Sequence, residues 1–210
     1  MTKAGFVYAD LINTVSEMYA NEIQTPEYGC GLEGLLRHRS QDVSGIVNGI
    51  DYDTWNPETD KLIAKKFSAK ALAGKLENKL ALQKLNGLPQ DTKIPVIGMI
   101  TRLADQKGFD ILAAALPRML NLKCQFIVLG TGKPKYHELL LEEKKKYPDQ
   151  IGANLKFDAI LAQLIYAGSD MFLMPSKYEP CGLGQLISFK YGTVPIVRKT
   201  GGLADTVQGF

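Results

Sequence analysis

Met171-Phe172-Leu173-Met174-Pro175-Ser176-Lys177-Tyr178-Glu179-Pro180-Cys181-Gly182-Leu183-Gly184-Gln185-Leu186 is the stretch from which the fold is read. Its first four residues are apolar and have the length of a buried strand, while residues 186–191 read as a helix. Between them lies a strand-to-helix loop with one carboxylate, two glycines and a helix start. The N–H groups of a helix's first turn, with the positive end of its dipole, attract anions. Gly182 and Gly184 have no Cβ to hold a ligand off the backbone. Pro180 biases Glu179 towards an extended backbone that would aim its carboxylate into a cleft. An ordinary surface loop with a solvated glutamate would have the same composition, and the loop alone does not separate the two.

Working outward, the same alternation recurs. Strands are predicted at 96–100, 125–129, 155–157 and 194–197, and helices at 108–120, 135–147, 160–167 and 183–191. Leu112, Ala115, Leu116 and Met119 form the inward face of the first helix, which Pro117 is expected to kink or end early. Gly201-Gly202 opens one more helix at Leu203. Strands separated by helices pair in parallel, so the fold class is α/β with a doubly wound parallel sheet.

The N-terminal quarter is different. A helix end at 4–10, a strand at 11–15, a helix capped by Ser16 with Glu17 in its first turn, and a second strand at 43–47 are too little for a domain. The chain is therefore expected to begin inside a larger structure and, at its other end, to stop within one. Residues 51–57, with Trp55 and Pro57, read as a hinge or linker. Residues 61–85 read as a helix with a loose stripe of Leu72, Leu76, Leu80 and Leu82 and a solvated lysine face.

The composition narrows the class. The chain has 210 residues, 45% hydrophobic, and 25 basic against 22 acidic side chains, a net +3. That balance is too small to argue for nucleic acid or membrane lipid as a partner. No apolar run approaches the roughly 20 residues of a membrane span. Cys30, Cys124 and Cys181 are odd in number and far apart, which fits reduced thiols in a cytosol-like compartment.

Ligands of such a sheet bind beyond the carboxyl ends of the strands, so the strand-to-helix loops matter. The first carries Arg102 and Lys107, a fork and a point charge suited to a diphosphate, or else two solvated cations. The second, Gly130-Thr131-Gly132, lacks the third glycine and the later acid of a nicotinamide site and reads best as a tight turn. The third holds Glu179 to Gly184. The fourth, Thr200-Gly201-Gly202, places another helix start at that edge. Phe157 is a candidate to stack on a base or to join the core. Cys181, at a helix start, is either a reactive thiol or an inert packed one. His38 and His137 lie too far from these loops in sequence to suggest catalysis. No hydrolase triad or metal spacing is evident.

Together these residues resemble the bacterial-type glycogen (starch) synthases. The resemblance is carried by Tyr8-Ala9-Asp10 through Val15-Ser16, by Tyr28-Gly29 with Gly31-Leu32-Glu33-Gly34-Leu35-Leu36, and by Asn48-Gly49-Ile50-Asp51 with Trp55 and Pro57. It continues in Glu77-Asn78-Lys79, Arg102-Leu103 with Gln106-Lys107-Gly108, and Leu129-Gly130-Thr131-Gly132. It closes with Pro175-Ser176, Glu179-Pro180-Cys181-Gly182-Leu183, Lys190-Tyr191-Gly192-Thr193, and Thr200-Gly201-Gly202-Leu203-Ala204-Asp205-Thr206-Val207.

The resemblance implies the two-domain GT-B architecture. Residues 1–50 would be the end of a first Rossmann-like domain, 51–93 a linker and connecting helix, and 94–210 a nucleotide-sugar domain cut at its C-terminus. It implies glucosyl transfer from ADP-glucose to an α-1,4-glucan with retention, no cofactor or dedicated metal, and a cytoplasmic setting, or plastid stroma in a plant-type source. Arg102 and Lys107 would hold and stabilise the ADP diphosphate as leaving group, and Glu179 the glucosyl hydroxyls. Cys181, Gly182, Leu183 and Gly184 would meet the donor's sugar and phosphate, with Gly130, Thr200, Gly201 and Gly202 beside them. Phe157 would stack near adenine, where relatives often have tyrosine.

Two departures stand out. Phe157-Asp158-Ala159 and Ala162-Gln163-Leu164 replace more polar residues of relatives. The family's N-terminal Lys-x-Gly-Gly-Leu loop and cleft histidine have no counterpart, so the chain is expected to be inactive alone. Self-association is a further expectation from apolar faces left uncovered. A non-catalytic nucleotide- or glucan-binding module is the competing reading; a nicotinamide-type Rossmann enzyme is disfavoured by its missing fingerprint.

Overall fold

The structure, a computed structural model, describes residues 2–209. It divides into two units, each described by itself. Unit 1 holds residues through Gly49, Tyr178–Leu183 and those from Arg198 onward; unit 2 holds Ile50–Lys177 and Gly184–Val197.

Unit 1 opens with α1 (Thr2–Tyr8), β1 (Ile12–Thr14), α2 (Glu17–Glu22), α3 (Glu33–His38) and β2 (Val43–Gly45). β1 and β2 pair in parallel, with Ile12 opposite Val43. Ser16 caps α2 as its sequence predicts, its hydroxyl accepting from the Tyr19 N–H at 2.8 Å. Arg39 closes the end of α1 by donating to the carbonyls of Phe6, Ala9 and Asp10 while pairing with Asp42.

Unit 2 contains α4 (Ala73–Leu85), β3 (Val96–Ile100), α5 (Phe109–Leu120), β4 (Gln125–Leu129), α6 (Pro134–Lys146), β5 (Ile151–Asn154), α7 (Ala159–Gly168), β6 (Met171–Met174), α8 (Gly184–Lys190) and β7 (Val194–Val197). Its five strands are all parallel, in the order β5-β4-β3-β6-β7. A strand sends successive side chains to opposite faces, and here both faces are covered. Val96, Ile127, Leu129 and Phe172 join one core with Leu82, Ile165, Tyr166 and Ile187. Ile97, Met99, Phe126 and Val128 join the other with Phe109, Leu112, Leu116, Tyr136 and Leu140. The order runs outward from β3 in both directions, so the chain reverses between β3 and β6. That point is where a doubly wound sheet opens a crevice at its carboxyl edge.

Some predicted elements need correction. The helix expected over 61–85 begins only at Ala73. Before it, Ile63 and Phe67 turn into the core and Ser68 bridges to Ala71, which no continuous helix allows. The buried face of α4 is only partly the expected one: Leu82 is in the core, but the rest of the stripe is not fully buried. Leu72 and Leu76 are exposed, while Lys79, Asn78 and Gln83 are buried with partners. The strand expected at 155–157 lies at Ile151–Asn154. Pro117 does not end α5, which runs on to Leu120, and Ala115 faces solvent. Residues 51–57 are a set of turns. The Asp51 carboxylate accepts from the Asp53 N–H and the Thr54 hydroxyl, and Trp55 packs edge-on against Tyr166.

The chain returns to unit 1 for α9 (Gly201–Thr206), which packs on α2. The helix starts two residues earlier than predicted. The Met18 N–H donates to Asp205 at 3.0 Å across that contact.

Candidate functional site

In unit 2 the loops after β3, β4 and β5 enclose a cavity of about 440 Å³. Arg102, Gly130 and Phe157, three of the predicted site residues, line it. Its remaining wall is largely carbon, from Trp55, Ile100, Leu129, Ala159 and Ala162. Phe157 is 89% exposed, so it is a rim residue and not part of the core. The Asp158 carboxylate caps α7 by accepting from the Leu161 N–H and pairs with Lys156; the cap first and the lysine second hold its carboxyl below the usual range.

The cation loop is held from several sides. Leu103 is fully buried, and its N–H and carbonyl bond to Thr131 and Lys133 of the next loop. Arg102, just before this plug, is exposed and reaches the Gln106 amide at 3.3 Å. Lys107 ends the tight turn Asp105–Lys107. An acid between two cations would repel an incoming anion, but Asp105 is turned onto α6. There it meets Lys133, Lys135 at 2.7 Å and the Tyr136 hydroxyl, which hold its carboxyl well below the usual range. Gly108 follows at φ 75°, where a Cβ would overlap the Pro175 carbonyl after β6. The Lys177 N–H donates to the Gln106 carbonyl at 2.8 Å. The loops on either side of the β3/β6 reversal are thus interlocked.

Gly130 and Gly132 are required by close approach: an added Cβ would overlap the carbonyls of Thr101 and Leu103. The expectation of a tight turn serving the sheet describes them well, although Gly130 also lines the cavity. The Gly132 N–H donates to His137 Nε2 at 3.2 Å. His137, on α6, thus contacts this loop as a packing group, which its distance in sequence did not suggest.

In unit 1 a second set gathers. Glu179 is 8% exposed and Cys181 5%, so neither is a solvated surface group. Gly182 is left-handed at φ 71° and leads to the exposed Leu183. Gly201 sits at φ 44° with its Cα against the Glu179 carbonyl, and Gly202 against that of Cys181. The first amides of α9 already have partners. The Gly201 N–H and Thr200 hydroxyl donate to Glu22 Oε1, each at 2.9 Å, and the Gly202 N–H to Glu179 and Pro180. A carboxylate thus occupies the positive end of that helix, and Glu22 was not foreseen in this role. Gly184, in unit 2, faces Phe172, Met174 and Tyr166, and a Cβ would crowd them.

No group of three or more His, Cys, Asp or Glu among the described residues is arranged to hold a metal. No helix among them is long and apolar enough to cross a membrane.

Comparison with known proteins bears on the family and the fold. Residues 1–38 match the starch synthase catalytic domain family and residues 94–210 the family of glycosyl transferases group 1. The chain is 60% identical over 208 residues to a glycogen synthase of Thermosipho melanesiensis, covering 99% of this chain and 43% of that protein. It is 53% identical over 210 residues to a glycogen synthase of Lactococcus lactis, covering 44% of it. The catalytic domain of starch synthase IV from Arabidopsis thaliana, solved bound to ADP and acarbose, superposes with a TM-score of 0.93 at 42% identity, over 99% of this chain and 43% of that one. Anabaena HepE, solved with UDP and glucose, shares the fold at a TM-score of 0.65 and 18% identity over 98% of this chain and 48% of its own. The chain spans about half the length of the curated relatives it matches.

Proposed function

We propose, from the premise that this chain belongs to the glycosyl transferases group 1 family, that it carries the nucleotide-sugar machinery of a glycogen or starch synthase. The reaction would move glucose from ADP-glucose to the non-reducing end of an α-1,4-glucan, with retention at the anomeric carbon. One observation supports this most: an apolar cavity at the carboxyl edge of the sheet, with Arg102 on its wall and Lys107 at the end of the same loop. Such a site offers carbon to a base and positive charge to a diphosphate.

In this reading Arg102 acts as a fork and Lys107 as a point charge on the diphosphate. Fixed cations favour the extra charge that develops as the bond from the anomeric carbon to the phosphate oxygen breaks. Phe157 would stack beside the base. In unit 1, Glu179 would bind glucosyl hydroxyls, with Cys181, Gly182, Leu183 and, beyond them, Gly184 shaping its loop. Thr200, Gly201 and Gly202 would serve by fixing the Glu179 backbone, since their own donors are engaged. No resident cofactor or metal is proposed, and the setting would be the cytoplasm.

Calorimetric titration of the 210-residue chain with ADP and ADP-glucose tests this. Arg102→Ala and Lys107→Ala are each expected to weaken ADP binding by about tenfold, near the lower end of what one charge-assisted hydrogen bond contributes. ADP affinity unchanged by either substitution would overturn the assignment.

A further inference from the structure

We infer that Trp55 is a further ligand-contacting residue of this cavity, forming the inner wall on which the base of the nucleotide lies. The inference rests on the nucleotide reading above. Trp55 comes from the turns before α4, not from a strand end, yet it lines the same cavity as Arg102 and Phe157.

Its position is fixed from both sides. The Trp55 N–H donates to the Asp51 carbonyl at 2.9 Å, and the Asp51 carboxylate ties down Asp53 and Thr54. The indole meets Tyr166 edge-to-face, centroids 5.7 Å apart at 82°. Tyr166 is itself buried against Phe172 and Tyr191, so the wall is backed by the core. An indole used only as core would be enclosed; this one is partly buried and lines a cavity whose apolar wall includes Ile100, Leu129 and Ala162. Those carbon walls have nothing to offer a phosphate, and Arg102 has little to offer a solvated sugar. A planar base joined to a diphosphate satisfies both. Phe157 at the rim is 89% exposed and lacks such backing, so the pre-positioned Trp55 contributes more per contact.

Trp55 is the only tryptophan in the chain, so its emission reports this wall alone. The 210-residue chain is titrated with ADP and, separately, with inorganic pyrophosphate, exciting indole where adenine does not absorb. Calorimetry with both probes follows for the wild type, Trp55→Leu, Trp55→Phe and Arg102→Ala. ADP is expected to change the emission saturably, with the calorimetric midpoint, and pyrophosphate to leave it unchanged. Trp55→Leu is expected to weaken ADP about tenfold, in the range of one base–aromatic stack, while pyrophosphate stays within about twofold. Trp55→Phe should recover most of the loss. Constant emission while ADP binds in an Arg102-dependent way overturns the inference and leaves the nucleotide reading standing. So does an equal loss of ADP and pyrophosphate affinity in Trp55→Leu that Trp55→Phe does not recover, since a mere core prop would behave that way. If Trp55→Leu does not fold, wild-type emission and Trp55→Phe decide. Failure of both probes to bind overturns the nucleotide reading and the inference together.

Discussion

Lys75 donates from one ammonium to the carbonyls of Ala167 at 3.1 Å and Tyr191 at 2.9 Å and to the Thr193 hydroxyl at 2.8 Å. The two carbonyls lie where α7 and α8 end and have no partner within their helices. Burial pushes its pKa down to about 8; Asp170 opposes that shift and Lys79 adds to it. The sign follows directly. Between pH 8 and 10.5 the unfolded chain holds a proton on Lys75 that the folded protein has released, so stability rises with pH across that window. The 2.5-unit difference corresponds to at most about 3 kcal/mol. Tyr166 and Tyr191 are shifted upwards, chiefly by burial, and their opposing effect begins only near pH 10. Because the buried Cys124 thiol is also shifted upwards and opposes from about pH 9, urea midpoints measured from pH 7.5 to 9 should climb in the wild type and stay flat in Lys75→Met, and parallel curves would refute this role. Nothing in the sequence marks Lys75 out: a lysine in a helix rich in lysines looks solvated until its carbonyl partners, some ninety or more positions later, are brought to it.

Among the elements, the β3–α5 loop shows the same dependence on distant partners. Its turn is pinned to α6 through Asp105, whose three donors all lie within Lys133–Tyr136. Asp105→Asn should weaken ADP binding several-fold by freeing the turn that ends at Lys107, while the melting temperature barely moves, as expected of exposed ion pairs. ADP calorimetry paired with a thermal melt checks this, and a large melting shift with unchanged affinity would contradict it. Because the carboxyl is held low, the latch is complete above the ordinary carboxylate range and is lost only as pH falls well below it. Legibility varied with chemistry. β3, β4, β6 and β7 stood out because their residues are apolar on both faces. β5 did not. It contains Gly152, where a Cβ would overlap Asn86, and Asn154, which donates to that same Asn86 at 2.8 Å. A strand shaped by a neighbouring helix end carries no strand signature. Arg102, Lys107 and Glu179 were readable as charges in strand-to-helix loops; Trp55 was not, because it reaches the cavity from outside the strand ends.

At the scale of the whole molecule, alternating strands and helices were enough to predict a parallel doubly wound sheet, since few other arrangements bury such strands. That Tyr178–Leu183 belongs with the N-terminal residues was invisible, because no local pattern records a contact between segments 150 residues apart. The sheet of unit 2 also ends abruptly. β7 is its edge strand, and parallel register sets Val194 beside Met171 and Ile196 beside Leu173, on the face that carries α5 and α6. Helices cover that face beneath β3 and β4, but Val194 is 58% exposed and Ile196 41%. An apolar edge strand invites pairing with another copy of the chain. The energy is limited: only about half of each side chain remains to be buried, so the two contribute about 1.5–3 kcal/mol per copy, against an association cost of at least about 4 kcal/mol. Self-association is therefore expected to be weak and concentration-dependent. Sedimentation velocity across a concentration series should show the wild type shifting towards dimer, and Val194→Lys with Ile196→Lys remaining monomeric. A wild type that sediments as monomer throughout would show that the edge is already protected by its twist and shortness.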